Sequence, residues 1–198
     1  MKKIPKGSYG YTDSHKRRQI LLTVVLFIIP AAVFAVGLVT TGTKLNYFTI
    51  IAVVGVLPAC KETVNVIMFL KLHSVDEELY RGVESRAGGL TRGYELVLTT
   101  YKVNYPLESF VICGNDVAAY TSGREDLKAL NEHISTTMKN NGLKNIHFHA
   151  FTDFNAYLDR VGVLAGKGPD DTVFSGDERY DGMRREDVVK AVLLALSL

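Results

Sequence analysis

Two long apolar runs near the N-terminus limit what this chain can fold into more than any other feature does. Residues 20–39 carry no charged side chain, and residues 47–70 carry only Lys61 and Glu62. A helix of about 20 residues matches the roughly 30 Å thickness of a bilayer's hydrocarbon core. We therefore predict two transmembrane helices, 20–39 and 47–70, joined by a short external loop, 40–46. This pattern excludes a simple cytosolic enzyme and a secreted disulfide scaffold.

The distribution of charge predicts how the two helices are oriented. Residues 1–19, predicted to be a basic cytoplasmic tail, hold six basic side chains and one acidic one, whereas the loop 40–46 holds only Lys44. Because basic flanks stay on the cytoplasmic side, we expect a multi-pass protein of the cell membrane with both termini in the cytoplasm. A signal peptide ending near Ala35 is the less favoured alternative, since the apolar run continues beyond that residue.

The rest of the chain has the opposite charge. Residues 63–198 hold 15 basic and 19 acidic side chains, which is unfavourable for binding a phosphate backbone, so nucleic acid is not an expected partner. The expected partners are the lipid bilayer and either another protein or a second copy of this chain. The two cysteines, Cys60 and Cys113, fall in different predicted environments, so no disulfide is expected.

Residues 71–164 have the pattern of a small cytoplasmic α/β (α+β) domain. The predicted elements, in order, are a helix starting at a capping box over 74–77, strands over 94–103, 110–113 and 117–121, a helix that begins at a second capping box over 122–125 and ends at 141–142, a strand over 146–151, and a helix from Asp153 to Leu164. Tyr105 and Pro106 are expected to break the first strand from the second. The fold class is a transmembrane hairpin followed by the order α-β-β-β-α-β-α, with a C-terminal helix.

Two segments follow this domain. Residues 165–183 are rich in glycine and acidic side chains, which predicts a mobile loop. Residues 184–198 form an apolar helix that must be buried. Docking on the sheet is the favoured arrangement, and contact with a partner, with a second copy or with the membrane surface are the alternatives.

The second apolar run contains a candidate polar site in the membrane: Lys61, Glu62 and Asn65. Lys61 and Asn65 share a helix face at i, i+4, whereas Glu62 needs a partner from elsewhere. Interfacial anchoring is the favoured role, with oligomer contact and ion or proton handling as alternatives. Small residues at 31 and 35 and at 52, 55 and 59 predict surfaces for close helix packing.

His147, His149 and Asp153 form the best candidate for a metal site. Alternation along a strand places both imidazoles on one face, with a carboxylate a few residues on. The favoured interpretation is that both histidines line a polar face of the sheet, and no cofactor is expected. Other signatures fail: the chain contains no Gly-x-Ser-x-Gly, His-Glu-x-x-His or Asp-x-Asp, and the stretch 162–168 lacks the spacing of a phosphate loop.

The order α-β-β-β-α-β over residues 74–151 resembles restriction-endonuclease-like folds, including membrane-tethered nuclease-related domains. Such nucleases hold Mg²⁺ with an acidic residue near the second strand and an acidic-x-Lys pair on the third. Glu108 or Asp116 matches the first requirement, but residues 117–121 contain neither acid nor lysine. The resemblance therefore implies the fold without its catalytic residues. The whole chain also resembles small two-span bacterial membrane proteins, which imply no particular reaction.

These observations predict a non-enzymatic, membrane-tethered cytoplasmic module for binding or regulation. A metal-assisted hydrolase or transferase using His147, His149 and Asp153 is one alternative. A small oligomeric transport or channel subunit using Lys61 and Glu62 is another.

Overall fold

A computed structural model describes residues 4–70, 72, 74–99, 103–123, 126–175 and 178–197. The chain divides into two compact units. Thr12–His73 form one, called the helical unit below; Met1–Tyr11 together with Ser74–Leu198 form the other, called the α/β unit.

The helical unit consists of two long apolar helices, α1 (Tyr11–Thr41) and α2 (Tyr47–Leu70). Both are long and apolar enough to cross a membrane, and only 11% of the most apolar stretch of each is buried. The two predicted long helices are therefore confirmed. Helix α1 begins at Tyr11 rather than at residue 20, so it also includes the polar residues that precede the apolar run.

Buried residues recur at seven-residue spacing in both helices: Thr23, Pro30 and Gly37 in α1, and Ala52 and Ala59 in α2. A Cβ atom on Gly55 would lie 3.3 Å from Cγ of Pro30, so the backbones approach closely there. The predicted small-residue surface of α2 is confirmed. The one predicted for α1 is wrong, since Ala31 and Ala35 are exposed and Pro30 and Gly37 occupy the contact instead.

The α/β unit is built on a mixed four-stranded sheet, which confirms the predicted α/β class. Its strands are β1 (Thr91–Thr99), β2 (Asn104–Cys113), β3 (Asp116–Tyr120) and β4 (His147–Phe151). They lie in the order β1-β2-β3-β4, with β1–β2 and β2–β3 antiparallel and β3–β4 parallel. The helices are α3 (Glu77–Ala87), α4 (Leu127–Asn140), α5 (Phe154–Lys167) and α6 (Arg185–Leu196), and a 3₁₀ turn spans Glu178–Tyr180.

Helices cover both faces of the sheet. On one face, Phe110 and Ile112 pack with buried residues of α4 and α6. On the other, Val111 and Cys113 pack with those of α3 and α5. This alternation along β2 is the period-2 pattern of a strand buried on both sides.

The predicted break at Tyr105 and Pro106 is wrong, because β2 runs through both residues and pairs Pro106 with Val97. Strand β3 pairs with β2 only from Ser109 onward. Proline lacks an N–H group, but at this position β2 has no described strand on its other side that would require one.

Two helix starts test the predicted caps. Asp153 caps α5 as predicted, with its carboxylate accepting hydrogen bonds from the backbone N–H groups of Asn155 and Ala156. Helix α4 is capped in the same way by Asp126, not by the capping box predicted over 122–125. Arg124 and Glu125 lie outside the described residues.

The C-terminal helix α6 docks on the sheet, which confirms the favoured of the predicted arrangements. Val188, Val189, Val192 and Leu193 of α6 are buried in the core, and Ser197 bridges to Leu98 of β1. The described part of the predicted mobile loop is anchored as well, because Phe174 is buried and its N–H donates to the Met183 carbonyl at 2.9 Å.

Candidate functional site

The centre of the candidate site is Glu95, a buried carboxylate in the middle of β1. Only 7% of its surface is exposed, and its backbone has a φ of +56°, a conformation that is uncommon outside glycine. Its Oε1 atom accepts hydrogen bonds from Ser74 Oγ at 2.8 Å, from Gly10 N at 3.0 Å and from Val75 N at 3.2 Å. We call these four residues the Glu95 clamp.

The clamp joins two stretches of chain that are far apart in sequence. Gly10 directly precedes α1, and Ser74 and Val75 follow shortly after α2. Burying a carboxylate without hydrogen-bond donors costs free energy of folding. Here donors from both stretches of chain bind the same oxygen atom of Glu95.

Further contacts hold the N-terminal segment on the α/β unit. The Gly7 carbonyl accepts a hydrogen bond from Tyr94 N at 2.9 Å. The Tyr9 ring stacks on Tyr80 with 4.3 Å between centroids. Lys6 Nζ donates to the Ser197 carbonyl at 2.6 Å. Residues 4–10, predicted as the start of a basic tail, thus belong to the folded domain.

The clamp also corrects the predicted capping box over 74–77. Helix α3 has Asp76 as its N-cap without a side-chain hydrogen bond, and the Ser74 hydroxyl donates to Glu95 instead. Because α3 begins at Glu77, Ser74 lies two residues before the N-cap position, and its hydroxyl donates to the buried carboxylate instead of accepting from the first turn of the helix. The sequence signal for this site is an acidic residue inside the apolar stretch 94–98.

A second buried carboxylate, Glu186, binds loop and strand residues at another end of the sheet. Glu186 is fully buried and accepts hydrogen bonds from Gly114 N at 2.9 Å, Asp170 N at 3.0 Å and Thr91 Oγ1 at 2.8 Å. Nearby, Cys113 Sγ donates to the Gly168 carbonyl at 3.2 Å. Burial raises the pKa of this thiol, which favours a packing role for Cys113 over a nucleophilic one.

Asp116 forms an ion cluster beside the first predicted metal ligand. It pairs with His147 in the register of β3 and β4. Its Oδ2 lies 2.7 Å from Lys167 Nζ and 3.7 Å from Arg160 Nη2. The hydrogen bond from Lys167 is the main reason why the pKa of Asp116 lies below its usual value. The cluster ties β3 to α5.

The predicted metal residues are only partly brought together. His147 and His149 are both exposed and flank the buried Phe148, as expected for one face of a strand. Asp153, however, directs its carboxylate to the start of α5. Within the described ranges, no three His, Cys, Asp or Glu side chains are placed to hold a metal ion. The metal role of these residues stays a prediction.

The polar residues of α2 form a different arrangement from the predicted one. Asn65 Nδ2 donates to Glu62 Oε2 at 3.3 Å, while Lys61 is exposed. Glu62 lines a cavity of about 250 Å³ with His15, Arg18, Gln19 and Leu22 of α1. The described hydrogen-bond partner of Glu62 is thus Asn65 of its own helix, and the cavity lies between Glu62 and polar residues of α1.

Comparisons with models of protein families, with curated proteins and with solved structures find no match to this chain. The resemblances to restriction-endonuclease-like folds and to small two-span membrane proteins stay predictions.

Substitution of Glu95 tests the clamp. We expect Glu95→Ala to lower the free energy of unfolding by about 2–4 kcal/mol, since three donors lose a charged acceptor. The measurement is urea unfolding of the full-length protein in detergent, followed by tyrosine fluorescence. Glu108→Ala is the matched control, because Glu108 lies on the next strand and accepts only one described hydrogen bond, from Ser122 N. Equal losses in both variants would contradict a special role for Glu95.

The Asp116 cluster predicts a dependence of stability on pH. Because the pKa of Asp116 is lowered in the folded state, its stabilising effect is present at neutral pH and is lost as the pH falls through that lowered pKa, below the usual 3.8. Asp116→Asn should therefore cost about 1 kcal/mol at pH 7 and less in acid. Unfolding curves of both proteins across this range measure it. A difference that grows in acid would refute the assignment.

Proposed function

We propose that the protein crosses the membrane twice and holds its α/β unit in the cytoplasm, where the unit acts as a binding or regulatory module. The length and apolar composition of α1 and α2 support the two crossings. Their exposed apolar surface is suited to lipid: Ile28, Ile50 and Val53, for example, are 58%, 62% and 64% exposed.

The observation that carries this proposal is that both flanks of the two helices belong to one folded unit. Gly10 and Ser74 bind the same oxygen atom of Glu95. A chain that crosses a bilayer twice returns to the side from which it started, so both flanks can join one domain. A single crossing within residues 11–73 would separate Gly10 from Ser74 by the whole membrane.

The distribution of charge supports the proposed side of the membrane. Residues 1–19 hold six basic side chains, and the connection between the helices holds only Lys44. The positive-inside rule therefore favours the cytoplasm for the α/β unit and the outside for residues 42–46.

The state of the carboxylates supports a module rather than an enzyme. Glu95, Glu186 and Asp116 are all engaged by donors or cations of the chain itself, so each holds chain segments together. The clamp adds a means of regulation, since its donors lie next to α1 and shortly after α2. Any rearrangement of the helices that pulls on these segments must change the α/β unit, and the reverse also holds.

Cysteine labelling tests the topology. In a background of Cys60→Ala and Cys113→Ala, we expect Thr43→Cys to react with a membrane-impermeant maleimide in intact cells. Ser122→Cys, which is also exposed, should react only after permeabilisation. Labelling of Ser122→Cys in intact cells would contradict the proposed orientation.

Disturbing the helix packing tests the regulatory link. A larger side chain at Gly55 meets Pro30, so Gly55→Leu should speed hydrogen exchange at the amides of Gly10 and Val75 several-fold in the full-length protein in nanodiscs. The matched control is Val54→Leu, because Val54 is 59% exposed. Unchanged exchange in Gly55→Leu would argue against coupling through the clamp.

A further inference from the structure

We propose that the cavity lined by His15, Arg18, Gln19, Leu22 and Glu62 binds the headgroup of an ethanolamine phospholipid. Arg18 would hold the phosphate and Glu62 the primary ammonium group. This inference rests on the proposed membrane crossing, because it requires the helical unit to lie in a bilayer. All five residues belong to the helical unit.

One face of α1 supplies most of the polar lining. His15, Arg18 and Gln19 stand at i, i+3 and i+4, so they share a face of the helix. Leu22 follows one turn later and is 42% exposed, which gives the cavity an apolar wall on the side of the uncharged run. A polar floor beside an apolar wall is suited to a molecule with a charged head and an acyl chain.

The two charged side chains of the cavity, Arg18 and Glu62, form no ion pair with each other within the described part of the chain. Both side chains line the same space. The carboxylate of Glu62 is oriented by Asn65 of its own helix. Lys16 is engaged elsewhere, with the Leu72 carbonyl and Asp13. A ligand that carries both signs of charge can satisfy Arg18 and Glu62 together.

The position along the chain matches the headgroup layer. Arg18 and Gln19 directly precede the uncharged run 20–39, so they lie at the cytoplasmic interface when α1 spans a bilayer. Lipid phosphates occupy this same level. Glu62 lines the cavity with them and is therefore within reach of the same headgroup.

The chemistry of the lining selects among headgroups. A guanidinium group binds phosphate through two parallel hydrogen bonds. A carboxylate accepts hydrogen bonds from a primary ammonium, but a choline group has no N–H to donate and is usually held by aromatic rings. Among the described residues, the lining contains no Phe, Tyr or Trp. A glycerol headgroup leaves Glu62 without a cation, so ethanolamine is the best match of the three.

The test uses the full-length protein in nanodiscs with equal amounts of phosphatidylethanolamine, phosphatidylcholine and phosphatidylglycerol, followed by native mass spectrometry of the retained lipids. We expect phosphatidylethanolamine to be enriched about tenfold, as one charged hydrogen bond would provide. Arg18→Gln should lower retention of all three lipids, whereas Glu62→Gln should remove only the preference for phosphatidylethanolamine over phosphatidylglycerol. Arg17→Gln is the matched control, since Arg17 is exposed and does not line the cavity.

Three results would overturn the proposal. Equal retention of the three lipids would do so, as would equal effects of Arg17→Gln and Arg18→Gln. Millimolar phosphoethanolamine, the free headgroup without acyl chains, should not displace the bound lipid. Displacement would mean that the cavity holds a soluble molecule rather than a lipid. Alkaline carbonate extraction separates this failure from that of the proposed function: a protein that leaves the membrane refutes both, whereas one that stays without lipid preference refutes only the lipid site.

Discussion

The α/β unit depends on one buried carboxylate. Glu95 lies in the middle of β1, and its Oε1 atom binds Gly10 from before the two long helices and Ser74 and Val75 from after them. A buried charge is tolerated only where donors surround it. Here the donors come from both flanks of the helical unit. Their hydrogen bonds to one oxygen atom therefore hold the segment before α1 and the segment after α2 at the same place on the α/β unit.

This constraint links the fold to the proposed topology. A domain that contains residues 4–10 and 74–197 cannot be completed unless both flanks are on the same side of a membrane. Two crossings meet that condition, and the basic residues before α1 favour the cytoplasmic side. The Glu95 clamp therefore holds both flanking segments of the chain against the sheet of the α/β unit.

Much of the fold could be predicted from patterns of residues close together in sequence. Apolar length predicted α1 and α2, period-2 alternation predicted the strands, and the apolar pattern of 184–198 predicted a buried helix that the structure shows docked on β1 and β2. Local rules failed at Ser74 and Pro106. In each case residues far away in the sequence decided the outcome. The Ser74 hydroxyl donates to Glu95, and β3 pairs with β2 only from Ser109 onward, so Pro106 has a described partner strand on one side alone.

The sequence by itself determined the two apolar helices, the distribution of charge and the α/β class, because these depend on composition and on short-range periodicity. Only the tertiary structure decided which polar residues meet. Glu95 with Gly10, Glu186 with Gly114, Asp116 with Lys167, and Glu62 with Arg18 in one cavity are separated by many residues along the chain. Their proximity arises from chain reversals and sheet pairing, and no local pattern in a single sequence records it.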